Sequence, residues 1–347
     1  MSRAKRHHHV PRFYLRAFAD PKGRIQVYDR HSGRTLDRQR IENVAVESDL
    51  YTVTDDEGRP SDGAEQAIAR LEGGISESLA RLRGPDPVAS TEDQANVAIF
   101  VALQFVRTTA MRDQFENLHD LKLRMSTEGN VGGDPPHMVK RFIEKRYGAA
   151  PDWLKDQVRS VAADPSRPVR LPTEEWLVMM ADLVPYLANG LRERTWRLVM
   201  AGEGTYLTCD NPIALIVDPA DPNPGVGLRN AAQVLLPVAP DRLLVIEGLE
   251  PGPITVGTAG GAWVRWANRS VANRASRHVY WHPRSYPMRT IQIPAEPRPA
   301  GVNGMPVRHG ERSWDKIRSE QVPGMHRVRD HIRADHQDRS VGDKDQA

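Results

Sequence analysis

His7-His8-His9 opens the chain with adjacent imidazoles, which gain and lose protons near neutrality and ligate metals. In an extended segment side chains alternate, so the three cannot serve one ion: His7 and His9 share one side and His8 takes the other. His8 is taken as the acid, base or metal ligand. Glu65 and Glu72 are seven residues apart, which on a helix puts both on one face about 10 Å from each other. That distance is too long for one ion between them, but either could join ligands from elsewhere, such as His8 or Asp210. Gln104 and Arg107 stand one helical turn apart. A guanidinium on a buried helix needs an anion, and Asp210 is the internal candidate, a phosphate or carboxylate the external one. Asp210-Asn211-Pro212 follows a strand-like run, and Pro212 restricts Asn211 to extended or turn geometry. Cys209 alternates away from Asp210 and reads as a small buried hydrophobe.

The elements that must position these residues are legible in outline. Phe13, Tyr14, Leu15 and Phe18 give the N-terminus apolar surface with which to dock, although termini commonly fray. Gly23 to Arg40 reads as a β-hairpin turning at His31-Ser32-Gly33, followed by short strands and turns to residue 60. A helix is expected from Ser61 or Asp62 to Arg83, weakened or bent at Gly73-Gly74. The next is capped by Ser90 or Thr91, has Glu92 and Asp93 in its first turn, and is apolar nearly all round from Asn96 to Val106, as a buried helix is. Beyond the break at Gly129-Asn130-Val131-Gly132-Gly133, helical patterns occupy residues 136–148, 151–162 and 173–190. Thr195–Met200 and Thr205–Thr208 read as a hairpin about a glycine-containing turn. Strands are expected at 213–217, 232–238 and 242–247, a helix at 258–276 and a strand at 278–282. The fold class is α+β: an N-terminal hairpin region, a central helical bundle over about 61–190 and a C-terminal antiparallel sheet over about 194–283. These form a single folded unit, 1–293, with a mobile charged tail at 294–347.

Composition narrows the classes. Hydrophobic residues make up 39% of 347, and the 26 Gly and 27 Pro imply much loop. The single Cys209 excludes an internal disulfide and a cysteine-rich zinc site, and fits a reducing cytoplasm. With no signal-peptide pattern and no apolar run of membrane-spanning length, a soluble cytoplasmic protein that does not enter membranes is expected. Residues 1 to 40 carry eleven Lys/Arg against Asp20, Asp29 and Asp37, an excess of +8 in a chain of net charge +3, so the remainder is net −5. Such a lobe could face nucleic acid or a phosphorylated small molecule. P-loop, dinucleotide-binding, His-Glu-x-x-His and Gly-x-Ser-x-Gly patterns are missing, as are helix-turn-helix and zinc-finger signatures.

The order of motifs resembles that of the bacterial and fungal proteins grouped as domain of unknown function 4238. The resemblance covers roughly residues 5 to 283. It rests on His8-His9-Val10-Pro11 with Leu15 and Phe18, on Glu65 and Glu72, on Gln104-Phe105-Val106-Arg107-Thr108, and on Thr208-Cys209-Asp210-Asn211-Pro212. Cys209 replaces the usual serine and Thr109 a frequent proline, and the first departure counts against a serine nucleophile. The resemblance implies no particular reaction. On the residues alone, the leading expectation is a hydrolase-like enzyme acting on nucleic acid or another phosphate ester. His8, Glu65, Glu72 and Asp210 would do its chemistry, Gln104, Arg107 and Asn211 would bind substrate, and His8 with Asp210 could hold a divalent metal. The alternative is a non-catalytic binding or assembly protein in which the same residues form a buried network.

Overall fold

The computed structural model describes residues 6–48, 50–54, 60–61, 63–87, 89–128, 152–164, 169–217 and 227–295. It is an α+β fold. Strand β1 (Arg6–His8) leads into the short helix α1 (Arg12–Leu15) and a 3-10 turn, Arg16–Phe18. The hairpin β2 (Arg24–Asp29) and β3 (Arg34–Arg40) follows, then the short strands β4 (Val46–Ser48), β5 (Val53–Thr54) and β6 (Pro60–Ser61). Five helices come next: α2 (Gly63–Leu82), α3 (Thr91–Val106), α4 (Thr109–Glu128), α5 (Asp152–Ala163) and α6 (Thr173–Arg192). The remainder is β7 (Thr195–Ala201), β8 (Thr208–Cys209), β9 (Ala214–Ile216), β10 (Gln233–Ala239), β11 (Arg242–Glu247), β12 (Thr255–Ala259), α7 (Gly261–Arg274) and β13 (His278–Trp281).

A five-stranded sheet ordered β12-β7-β11-β10-β9 forms the centre, antiparallel except that β12 runs parallel to β7. Both of its faces are covered. Leu244 and Ile246 of β11 join the apolar cluster of α2, α3, α6 and the N-terminal anchors, while Leu243 and Val245 face α7 and β13. Burial on both sides explains why β10 and β11 are apolar in succession and do not alternate. A second sheet, β3-β2-β13-β8, pairs the N-terminal hairpin with the last strand of the chain. β3 is its edge, and the exposed Arg34, Asp37, Arg38 and Arg40 on it discourage further pairing.

The N-terminus docks as its anchors require: Val10, Tyr14, Leu15 and Phe18 are fully buried, and Phe13 packs at the margin of the same core. Tyr14 is also tied by polarity. Its hydroxyl donates to the Pro237 carbonyl (2.6 Å), which leaves Thr208 Oγ1 as donor across their 2.7 Å contact. Ser90 caps α3, its Oγ accepting from Asp93 N (3.1 Å) while Asp93 Oδ2 accepts from Ser90 N (3.0 Å). This reciprocal pair is a capping box built with aspartate in the usual glutamate place. Ser90→Ala is expected to lower stability by about 1 kcal/mol, read as a lower urea midpoint at unchanged m-value.

Some expectations need correction. Thr195–Thr208 is not a hairpin: β7 lies in the central sheet and β8 in the other. After the turn at Gly204 (φ +80°) the chain leaves β7, because Tyr206 N donates to Pro240 O (2.7 Å) and Leu207 N to Asn268 Oδ1 (3.0 Å). The C-terminal helix starts at Gly261, since Thr255–Ala259 is the parallel strand β12. α4 has no counterpart in the sequence reading. Gly73-Gly74 lies within an uninterrupted α2, and Ser61 belongs to β6. The pattern at 136–148 and the charged tail from residue 296 lie outside the described residues.

Candidate functional site

The buried face of α3 presents Gln104 and Arg107 to the peptide at His9. Gln104 Nε2 donates to the His9 carbonyl (3.0 Å), and Arg107 Nε donates to the same oxygen (2.9 Å) and to Gln104 Oε1 (3.1 Å). The backbone N–H of His9 donates to Ala45 O (3.0 Å), so the segment is held from two sides. Arg107 is 1% exposed, and its Nη1 pairs with Glu72 Oε1 at 2.9 Å. This corrects the expected Arg107–Asp210 bridge. Packing of α2 on α3 brings Glu72 over Arg107, whereas Asp210 is drawn elsewhere by strand pairing. Arg107 Nη2 and His9 Nδ1 are buried and have no hydrogen-bond partner among the described residues.

Asp210 follows β8, whose partner β13 brings the chain leaving α7 alongside it. Its Oδ1 accepts from Ser276 N (2.7 Å), and its Oδ2 from Arg277 N (2.7 Å) and His278 N (2.8 Å). Burial pushes this carboxyl up, while those three donors pull it the other way. A carboxylate so occupied is a cap for the turn into β13, not a free base. Asn211 is buried beside it, its Oδ1 without a hydrogen-bond partner among the described residues. Cys209 is buried as expected, its thiol pushed up by burial and directed at Val271 O (3.4 Å).

The imidazoles divide as the strand alternation requires, but the opposite side carries most of the contacts. His7 Nδ1 accepts from Tyr51 N (3.3 Å) and its Nε2 lies 3.4 Å from Glu65 Oε2. The glutamates Glu65 and Glu72 thus meet His7 and Arg107, not His8. With Nδ1 accepting from the Tyr51 N–H, Nε2 is the nitrogen that carries a hydrogen toward Glu65. Tyr51, whose hydroxyl burial pushes up to about 12, stacks on Trp176 (5.9 Å, 7°) and also contacts the His7 ring. The sequence signal for His7 was the alternation itself, since His7 and His9 share the side that faces the helices.

His8 is half-buried, and its Nε2 donates to Ile41 O (3.3 Å), leaving the lone pair on Nδ1. Burial lowers its pKa, the Ile41 bond opposes this, and Arg12, Arg6 and Arg107 lower it further. Among the described residues no group of three or more His, Cys, Asp or Glu is placed to hold a metal ion, and His8 and Asp210 are engaged separately, one by Ile41 O and the other by the backbone of 276–278.

His9 is the strongest pH lever in this region: burial, then the Arg107 charge, lowers its pKa from 6.5 to about 3. Between those values the unfolded chain takes up a proton that the folded chain refuses, so stability is fully present above 6.5 and is lost as pH falls toward 3. The slope from this one group is at most about 1.4 kcal/mol per pH unit. Urea midpoints from pH 8 to 4 are expected to fall more steeply for the natural chain than for His9→Phe. Parallel curves would mean that His9 is not the group refusing the proton.

Among the described residues no helix is long and apolar enough to cross a membrane. Neither a curated protein nor a solved structure matches the chain. A family model described as "Protein of unknown function (DUF4238)" matches residues 6–285, from β1 to just past β13, and the chain belongs to that family.

Proposed function

We propose that the chain is a non-catalytic binding protein, in which the His9 carbonyl, Gln104, Arg107 and Glu72 lock the N-terminal segment onto the helices and Asp210 locks α7 to β13. The observation that carries this reading is the closure of the polar groups upon protein partners. Gln104, Arg107 and Asp210 are 0%, 1% and 6% exposed, and each is engaged by backbone or side chain within the fold. Ligand sites usually present a few polar groups to a concave, accessible surface. These groups are turned inward.

A hydrolase-like reading on a phosphate ester has narrower support: Arg107 Nη2 is buried without a partner among the described residues, and His8 keeps a lone pair on Nδ1. The two readings separate in one experiment. Thermal unfolding with Mg²⁺, Mn²⁺ or Zn²⁺ is expected to leave Tm unchanged, and phosphodiester and phosphomonoester substrates are expected to stay intact. Turnover that His8→Ala abolishes, at unchanged Tm, would replace the binding reading with the catalytic one.

A further inference from the structure

The sequence from 251 to 295 contains six arginines, at 265, 269, 274, 277, 284 and 289, and no Asp, Glu or Lys. The fold spends part of this charge internally. Arg277 pairs with Asp29 (3.1 Å), and Arg274 is largely buried at the end of α7. Arg265 sits near Glu203 at the start of α7, where both side chains approach Gly261. Arg269, Arg284 and Arg289 remain exposed, and among the described residues their guanidinium groups meet no carboxylate.

Two of these three define a concavity. The segment after β13 folds back on α7 through Met288, Ile291 and Ile293, and leaves a cleft of about 510 Å³ lined by Arg269, Arg289, Ile291 and Gln292. Exposed aromatic rings stand one turn before each of its arginines, on the same segments. Trp266, one turn before Arg269, is 38% exposed and packs against Trp263 (5.6 Å), and Tyr286, between Arg284 and Arg289, is 78% exposed. Pairing of β13 with β2 also joins this region to the basic N-terminal hairpin, where Arg38 and Arg284 each act on His282. Asp20, the nearby acid, is occupied by Arg24 and the Lys22 backbone.

We propose that this cleft and its aromatic margin bind a single-stranded nucleic acid, with phosphates between Arg269 and Arg289 and bases against Trp266 and Tyr286. Guanidinium groups recognise phosphate oxygens in a planar fork, and exposed rings stack on bases irrespective of sequence. A duplex buries the base faces that the rings need, and an anionic membrane would use the charge without the cleft. A single strand uses both. The proposal rests on the binding reading above and supplies its partner.

The test is fluorescence anisotropy of dye-labelled dT and U 20-mers, and of a duplex of equal length, with the full chain over a salt series. The single strands are expected to bind more tightly than the duplex, with affinity falling as salt rises. Arg269→Ala with Arg289→Ala is expected to weaken binding at least ten-fold and to flatten the log–log salt slope by about 1.4, or ~0.7 for each lost phosphate contact. Trp266→Ala with Tyr286→Ala is expected to weaken binding about ten-fold at unchanged slope. No binding at the lowest salt, or an arginine variant with the natural affinity and slope, overturns the proposal. Arginine-dependent sedimentation with phosphatidylserine vesicles, without strand binding, overturns the partner and leaves the binding reading standing. Cleavage of a bound strand upholds the partner and overturns the non-catalytic reading.

Discussion

Arg107→Met is expected to remove about 3 kcal/mol of stability, the lower end of the range for breaking a buried ion pair from one side. The lower end applies because Glu72 is 27% exposed, so water takes up part of the freed charge. The rest of the loss lies inside. Methionine keeps the length and apolar stem of the side chain, but the His9 carbonyl loses one of its two donors and Gln104 Oε1 loses its partner. Both atoms are buried, and an unmade buried hydrogen bond costs about 1 to 3 kcal/mol. Adding Glu72→Gln removes the stranded carboxylate, so the double variant is expected to be more stable than the sum of the two single losses. Urea unfolding of the four proteins closes the cycle. A loss below about 1 kcal/mol for Arg107→Met would mean that the network does not hold the N-terminus.

Arg107 also marks the limit of what sequence could reveal. That it needed an anion followed from its place on an all-apolar helix, and this held. Which anion depends on the packing of α2 over α3, a tertiary fact with no local signature, so the sequence points to Asp210 where the fold supplies Glu72. The same division runs through the fold. Locally encoded features were legible: the turn before β3, the Ser90 cap, the apolar β10 and β11, and the docking anchors around Tyr14. The partner of β7 was not, because Gly204 supplies a turn whether the chain returns to the same sheet or crosses to another. α4 escaped because its residues are mostly polar and its face is set by neighbours. His7 was half-visible: alternation grouped it with His9, but nothing in the residues said which side of β1 would face the helices. The arginines of 251–295 carry no local signature because they are spread across α7, the turn into β13 and the segment after it, and only the fold gathers Arg269 and Arg289 at one cleft.

Asp210→Ala is expected to cost about 3 kcal/mol, since three part-buried backbone N–H groups lose a buried acceptor and each stranded donor costs on the order of 1 kcal/mol, the lower end of the range, once water reaches the turn. The donors are consecutive, Ser276, Arg277 and His278, and they sit where α7 ends and β13 begins. Loss of the carboxyl therefore loosens the only described strand that joins the N-terminal hairpin to β8. Asp210→Asn separates capping from chemistry. The amide keeps the shape and one acceptor oxygen but turns an N–H₂ toward donors, so an intermediate loss of about 2 kcal/mol is expected. Hydrogen exchange should localise the effect: the amides of 276–278 and of β13 gain exchange rate in both variants, more in alanine, while those of α3 do not. A metal-binding or general-base Asp210 would behave otherwise. Its asparagine variant would keep the stability of the natural protein and lose a ligand or an activity, and that pattern would return Asp210 from the turn to a working site.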